Sequence, residues 1–547
     1  MSLRARNRFT IPEATIRAAR RAFPKGNVYM TMRDELDIRY KDKDFAELFP
    51  SAQGRTAKSP GMLALVTVMQ YAEGLTDRQA AEAVRARIDW KYALGLEVDD
   101  PGFDFSVLSE FRARVVAGGA EQQLLDDMLK RFKELGLLKA GGRQRTDSTH
   151  VLAAVRKMSR LERVGETLRA TLNVLAVAVP DWLRAQVCAE WFDRYRVRFE
   201  QYRLPKSEAE RERLAETIGA DGYHLLSAID GDGTMQWLSE VPAVKILRQM
   251  WEQQYEIKND QVRWRSKKAS PPSKELIQSP YDPEARNRTK REVNWTGYVA
   301  HLTETCDEET PNLVTHVETT PATTADAEMT DKIHRALDEK GLLPGEHLVD
   351  TGYVSAEHLV SSEQDYELTL CGPVLPNTSW QARSTSGFDL SCFAIDWETQ
   401  TVTCPQGQVS CSWQVRKQKG HAVVRVCFDR QACAQCAQRS HCTRAKQDAR
   451  VLTFRTQAHY QALQHARQRQ ETPEFKDRYN ARAGIEGTIS QGTRAFGLRQ
   501  ARYIGLAKTH LQHVAIAAAM NLTRAVSWMK GIPKAQTRIS HFAALAA

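Results

Sequence analysis

Between residues 55 and 120 the apolar positions recur at helical spacing, punctuated by start and stop signals. Ser59-Pro60 reads as a helix start, with proline at the first helical position. Met62, Leu63, Leu65, Val66, Val68 and Met69 then describe a buried helix, which Gly74 stops. Thr76 caps a second helix over Asp77–Ala86 that turns Ala80, Ala81 and Val84 inward. After a loop around Asp99, Pro101 and Gly102, Ser106 opens a third helix containing Leu108, Phe111 and Arg112. Helix, short turn, helix with a basic surface is the pattern of a helix-turn-helix, and equally of any small helical bundle.

Further along, Gly141-Gly142-Arg143-Gln144-Arg145 forms a polar link into Thr146-Asp147-Ser148-Thr149, where a first strand is expected. From 155 to 265 the chain reads as helical and charged, with Leu161, Val164, Leu168, Leu172 and Leu175 at helical spacing. That pattern predicts a helical insertion and no second core. Gly297–Leu302 and Leu313–Val317 are β-rich runs separated by a polar turn. A helix from Asp326 to Lys340 follows, then the apolar run His347-Leu348-Val349 ending at Asp350, then a strand from Glu367 to Cys371. Strand, strand, helix, strand, strand predicts an α/β sheet. Residues 385–445 hold cysteines, tryptophans and short strand runs; 456–530 reads as helical; the tail beyond 531 reads as loose. No internal repeat is present.

Composition narrows the class. The chain has 547 residues, too many for one ordinary core, which predicts a main domain with satellites. No apolar run reaches the roughly 18 residues of a membrane helix, and the basic N-terminus lacks the apolar segment of a secretory signal. The expected location is the cytoplasm, associated with the nucleoid, where thiols stay reduced. A net charge of +10 suits a polyanionic partner such as DNA. Arg4, Arg6, Arg8, Arg17, Arg20, Arg21 and Lys25 form a basic leader, either a phosphate-touching or a solvated arm.

Three acidic positions carry candidate chemistry. Phosphoryl transfer on DNA uses two divalent ions roughly 4 Å apart, held by hard oxygen ligands. Asp147 sits among small hydroxylated residues after a basic link; Asp350 ends an apolar run and precedes Thr351-Gly352-Tyr353. A carboxylate at the C-terminal end of a sheet strand is where α/β folds place chemistry. Each is, taken alone, also an ordinary turn aspartate. Tyr479, Arg482 and Glu486 stand at i, i+3 and i+7, within a narrow arc of one helix face. Gly484 and Gly487 flank the glutamate at a cost of about 1 kcal/mol each to the helix, which close packing or an approaching ligand would explain.

Together, Thr146-Asp147-Ser148-Thr149, Val349-Asp350-Thr351-Gly352-Tyr353 and Tyr479-x2-Arg482-x3-Glu486 resemble the motifs of bacterial insertion-sequence DDE transposases. Ser279–Arg286 with Gly297-Tyr298, Leu75–Ala80 and Phe105–Arg112 are similar to further segments of that family, so the resemblance spans roughly residues 30–530. One departure is Thr493, where the extended signature has lysine; Arg494 is adjacent. The resemblance implies an α/β fold with a ribonuclease H-like catalytic core, a helical N-terminal domain, a helical insertion and a small Cys-rich β insertion. Its expected boundaries are 1–125 for the N-terminal DNA-binding domain, 140–155 and 280–380 for the first parts of the core, 156–279 for the helical insertion, 381–455 for the Cys-rich insertion and 456–530 for the helical part carrying the glutamate. It implies that Asp147, Asp350 and Glu486 hold Mg²⁺ or Mn²⁺, and that water and then a DNA 3′-hydroxyl attack without a covalent enzyme intermediate. Tyr479 and Arg482 would position phosphate, and Arg494, Arg499, Arg502 and Lys508 would hold the DNA end. The implied partners are double-stranded DNA, as element terminal repeats and target, and further copies of the chain in a homodimer or larger assembly. Two other readings are a catalytically idle DNA-binding transposase remnant and a ribonuclease H-like nuclease.

The chain contains ten cysteines. Cys433-x2-Cys436 can place two thiolates on one structural Zn²⁺, with Cys404 and Cys442 as first partners and Cys427, Cys411 and His441 in reserve. The alternative is a set of small buried hydrophobes. Similar transposases carry a cysteine-bearing insertion just before the glutamate.

Overall fold

The computed structural model describes residues 2–4, 10–51, 53–534, 542 and 545. Arg6 and Arg8 of the leader, and most of the tail expected to be loose, lie outside the described residues. The fold is mixed α/β. Its principal sheet has six strands: β1 (Arg143–Leu152), β2 (Arg286–Lys290), β3 (Val293–Thr305), β4 (Val314–Pro321), β5 (Glu346–Val349) and β6 (Thr369–Cys371). Their order is β2-β3-β1-β5-β6, with β4 paired to β3. β1, β3 and β4 pair antiparallel, whereas β5 and β6 run parallel to β1 and to each other. A helix, Ala356–Tyr366, which the hydrophobic pattern did not reveal, makes the crossover from β5 to β6.

β1 is the central strand, and its sequence, Arg-Gln-Arg-Thr-Asp-Ser-Thr-His-Val-Leu, is mostly polar. Alternation sends Gln144, Thr146 and Ser148 to one face and Arg145, Asp147 and Thr149 to the other. On the first face Gln144 donates to the Leu342 carbonyl at 2.7 Å, and Thr146 Oγ1 meets Thr303 Oγ1 at 2.7 Å and His347 Nε2 at 2.6 Å. Burying polar groups is tolerable only when each is bonded, and here each is.

The long helix Leu506–Met529 closes one side of the sheet. Val514, Ala515, Ile516, Ala517, Ala518 and Ala519 are fully buried, the small side chains letting it lie close to its neighbours. Asn521 accepts from the Val314 amide at 2.7 Å and donates to the Val314 carbonyl at 2.8 Å, clamping the start of β4. The N-terminal helices pack on this same helix. Pro60–Ala72 and Asp77–Ala86 form as expected, the latter with a reciprocal Thr76–Gln79 capping box. Ser106–Ala117 also forms, but an intervening helix, Ile88–Leu94, had no signal in the pattern. Leu65, Val68, Phe111 and Leu125 share one continuous buried cluster with Tyr298, Val317 and Val514. The basic leader is docked: Thr15 Oγ1 donates to the Leu96 carbonyl at 2.7 Å, leaving Arg17, Arg20, Arg21 and Lys25 exposed.

Residues 160–264 correct one expectation. Helices Arg160–Ala178, Glu208–Gly231 and Pro242–Gln254, with the hairpin Tyr255–Lys258/Gln261–Trp264, enclose a core of their own. The apolar positions that read as a thin helical stripe, Leu161, Val164, Leu168 and Leu175, meet Trp191, Leu225, Trp251 and Tyr255. Aromatic residues outside that stripe supply the bulk that makes it a core. The Cys-rich segment builds a third small core on the strands Ser412–Gln418, His421–Cys427 and Val451–Arg455.

Several histidines lie inside the main core. His334 Nε2 contacts His347 Nδ1 at 2.8 Å, and His513 Nδ1 contacts Thr319 Oγ1 at 2.8 Å. Burial pushes His301, His334 and His510 down to about 4 and His513 to about 3, and holds His347 well below its ordinary value. These imidazoles are neutral in the fold and protonate on unfolding at acidic pH. Their stabilisation is therefore complete above about pH 6.5, the unfolded value, and is lost as pH falls from there toward 4. Each contributes a slope of up to about 1.4 kcal/mol per pH unit in that window. Thermal melts between pH 8 and 4 should show a flat plateau above 7 and a steep fall below 6; an unchanged midpoint at pH 5 would contradict neutral burial.

Candidate active site

The second face of β1 looks onto the late helices. Arg145 stands directly opposite Glu304 on β3 and is joined to it at 2.7–2.8 Å through Nη2 and Nε. Glu304 is fully buried and also accepts from Thr488 Oγ1 at 2.6 Å and Arg524 Nη1 at 2.7 Å. Arg524 in turn reaches Thr488 Oγ1 at 2.7 Å and Gln491 Oε1 at 3.0 Å. One carboxylate thus ties the strand of Asp147, the helix Gly484–Phe496 and the helix Leu506–Met529 together.

The same arginine reshapes the motif helix. Arg145 Nη1 donates to the Ala481 carbonyl, which also takes the i+3 hydrogen bond from the Gly484 amide. Helix Pro473–Asn480 accordingly ends there, Ala481–Ala483 tightens into a 3₁₀ turn, and a new helix runs Gly484–Phe496. Tyr479, Arg482 and Glu486 therefore do not share one uninterrupted helix, as their spacing predicted; they sit on the first helix, the turn and the second helix. A Cβ at Gly484 would overlap the Arg145 guanidinium, so close packing accounts for this glycine. Gly487 faces open space and has no such reason.

The parallel register pairs Thr146 with Val349, so Asp147 and Asp350 are the next residues on adjoining strands, whose axes lie about 4.8 Å apart. Asp147 Oδ1 accepts from the Ser148 amide at 2.7 Å and Oδ2 from Arg482 Nη2 at 2.6 Å. Burial pushes its carboxyl above the usual range against the pull of Arg482 and the Ser148 amide, and the neighbouring Asp350 charge adds to the rise. Asp350 caps the turn Thr351–Tyr353, and its carboxylate has no hydrogen-bond or ion-pair partner among the described residues. Glu486 is 71% exposed, with Oε1 3.8 Å from Arg482 Nη1. Tyr479 stacks on Phe475 at 5.5 Å, and burial pushes its phenol up to about 12, with Asp350 and Asp147 adding to the shift against Arg482. A cleft of about 620 Å³ opens beside Asp350, lined by Thr351, Val374, Phe475 and Lys476 among others.

Two acids had no place in the motif reading. Glu304 could have been noticed as a lone charge near the end of an otherwise strand-forming run. Asp326, after β4, offered no signal: its Oδ1 accepts from Ser148 Oγ at 3.1 Å, and its Oδ2 lies 3.5 Å from Lys290 Nζ.

The basic residues divide. Arg499 Nε donates to Thr149 Oγ1 at 2.8 Å, on the Asp147 face of β1. Arg494 and Lys508 are exposed. Arg502 is engaged in docking, donating to the Leu75 carbonyl at 2.9 Å and lying over the Tyr71 ring. Thr493 bonds back to the Ile489 carbonyl at 2.7 Å.

Cys404, Cys433, Cys436 and Cys442 all line one small cavity of about 40 Å³ beside Phe393 and Phe428. Burial pushes the Cys442 thiol up, and the other three thiols add to the shift. Among the described residues, however, no three His, Cys, Asp or Glu side chains converge closely enough to hold a metal ion. The reserve ligands are turned elsewhere: Cys411 Sγ bonds the Cys427 carbonyl at 3.4 Å, and His441 bonds Ser386 at 2.9 Å.

The two motif glycines should separate in urea unfolding. Gly484→Ala should cost about 1–3 kcal/mol, the range for overpacking. Gly487→Ala should be neutral or stabilise by up to about 1 kcal/mol, as alanine is the better helix former.

Comparison with known proteins bears on the same regions. The family described as Transposase DDE domain matches residues 403–526, which include Tyr479, Arg482 and Glu486. The Transposase domain family DUF772 matches residues 17–114, the N-terminal helices. Among characterised proteins and solved structures, none matches the chain. No helix among the described residues is long and apolar enough to cross a membrane. The two family matches, one at each end of a chain whose core brings both ends together, make this protein an insertion-sequence DDE transposase, an enzyme that binds, cuts and joins DNA.

Proposed function

We propose that Asp147, Asp350 and Glu486 are the acids that perform DNA cleavage and strand transfer, on a ribonuclease H-like core. The observation that carries the reading is the parallel register of β1 and β5, which puts Asp147 and Asp350 at neighbouring strand positions, with Arg482 on its turn reaching Asp147 and lying toward Glu486 on the next helix. The strand order β4-β3-β1-β5-β6, three antiparallel strands followed by two parallel to the first, supports the core assignment. The donor set suits Mg²⁺ or Mn²⁺, being carboxylate oxygens with Asp350 unpaired. Bound divalent ions would supply activation of the attacking oxygen and charge stabilisation at the leaving one.

The chain's own residues do the rest. Asp147, Asp350 and Glu486 concentrate negative charge at the end of β5. Tyr479 and Arg482 orient the phosphate, and Arg499 and Lys476 flank the path along which DNA reaches it. Arg494 and Lys508 extend that basic surface, whereas Arg502 belongs to the packing of the N-terminal helices. Those helices, with exposed Arg17, Arg20, Arg21 and Lys25, recognise the terminal repeats, and the chain acts on repeats and target as a homodimer or larger assembly. A second reading concerns the cysteine cavity. Four thiols lining one space favour a structural Zn²⁺ held by Cys404, Cys433, Cys436 and Cys442.

With Mg²⁺ or Mn²⁺ the full-length protein should cleave DNA bearing its own element ends. Asp147→Asn, Asp350→Asn and Glu486→Gln should each reduce this by at least about a thousandfold, as expected when a group central to transition-state stabilisation is lost; retained cleavage in one variant removes that residue from the triad. Elemental analysis after metal-replete purification should find one zinc per chain, lost in a Cys433→Ser/Cys436→Ser variant together with thermal stability. Zinc-free wild-type protein of equal stability would leave the cysteines as packing residues.

A further inference from the structure

Both oxygens of Asp147 are taken. Oδ1 accepts from the Ser148 amide, and Oδ2 is held by Arg482 at 2.6 Å. Arg482 is itself 14% exposed, keeps Nη1 3.8 Å from Glu486, and has a buried Nε with no hydrogen-bond partner. Its guanidinium thus lies between two of the three acids. Lys290, the other cation whose charge reaches Asp147, is committed to Asp326 at 3.5 Å.

We infer that Arg482 is an exchangeable counter-ion of the acidic site: it competes with the divalent cation for Asp147 Oδ2 and, once displaced, becomes free to bind the DNA phosphate. The inference rests on the reading of Asp147 as a cation-holding acid. A cation coordinating Oδ2 must displace the guanidinium or share the oxygen with it, and a positive charge so close opposes its entry in either case. The unpartnered Nε and the long Glu486 contact mean that leaving Asp147 costs Arg482 few other bonds. Arg482 stands on the tightened turn between two helices, where its side chain can pivot while both helices stay fixed. The site's charge is therefore balanced before cation and DNA arrive, and the same guanidinium turns toward the incoming phosphate when they do. Three roles predict different signs for removal of Arg482. A mere clamp that orients Asp147 would weaken cation binding when removed, a mere phosphate ligand would leave it unchanged, and an exchangeable counter-ion would strengthen it.

The test is Mn²⁺ binding to the full-length protein without DNA, followed by electron paramagnetic resonance of the free ion. An opposite charge within about 4–6 Å changes a carboxylate's proton affinity by about one to three powers of ten, so Arg482→Gln should tighten Mn²⁺ binding on the order of tenfold. Its DNA cleavage should fall and stay low at saturating Mn²⁺, since the phosphate contact is lost. Arg482→Lys keeps the charge but not the two-pronged donor set, and should bind Mn²⁺ with intermediate affinity. Should the glutamine variant melt early, the lysine variant decides: affinity equal to or weaker than wild type in the folded variant overturns the inference. Asp147→Asn separates the two levels. Loss of Mn²⁺ binding is expected, whereas wild-type binding by that variant would overturn the assignment of Asp147 itself, whatever Arg482 does.

Discussion

A central strand with polar side chains on both faces must find a partner for every one of them, and much of this molecule is arranged to supply those partners. Much of β1 is shielded from water, so an unpaired buried hydroxyl or charge there would cost about 1–3 kcal/mol or more. Thr146 is met by Thr303 and His347, Ser148 by Asp326, Arg145 by Glu304, Asp147 by Arg482, and Thr149 by Arg499. The partners come from almost every later segment of the core. Satisfying one strand thus dictates where β3, β5 and the late helices must lie.

The buried Glu304 cluster is the clearest instance. Two arginines and a threonine converge on one carboxylate. A buried ion pair of this kind often adds little net stability over a well-packed apolar core, since desolvation offsets attraction. Its geometric consequence is larger: the helix of Glu486 is fixed to the strand of Asp147 by short, charge-assisted bonds that tolerate little displacement. For the proposed acids, a rigid, bonded support of this kind keeps the geometry that phosphoryl transfer requires.

How much was legible in the sequence follows the same division. Where burial is apolar and periodic, the sequence spoke clearly: the helices Pro60–Ala72 and Asp77–Ala86, the strands around Gly297 and Val317, and the strand ending at Asp350 all lie where the pattern put them. The acids and Arg482 were proposed from spacing and resemblance; the fold sets Arg482 on Asp147 and places Asp350 at the end of the adjoining strand, while Glu486 stays exposed. The break in the motif helix was not legible, because its cause is Arg145, 336 residues away in sequence. Asp326 was equally hidden, since a turn aspartate looks the same with or without Ser148 beside it. The insertion's own core was missed because the aromatic residues that fill it lie outside the apolar stripe, Trp191 and Trp251 on separate helices and Tyr255 on the hairpin.

The shared core of the N-terminal helices and the sheet has a mechanical meaning. Pro60–Ala72 leans on Leu506–Met529, which leans on β4, with no hinge of solvated linker between them. On the proposed reading, DNA held by the N-terminal helices is presented to Asp147 at a span set by packed side chains, as by the jaws of a fixed gauge. The number of base pairs between a recognised sequence and the cut bond becomes a property of the helix diameters in this core.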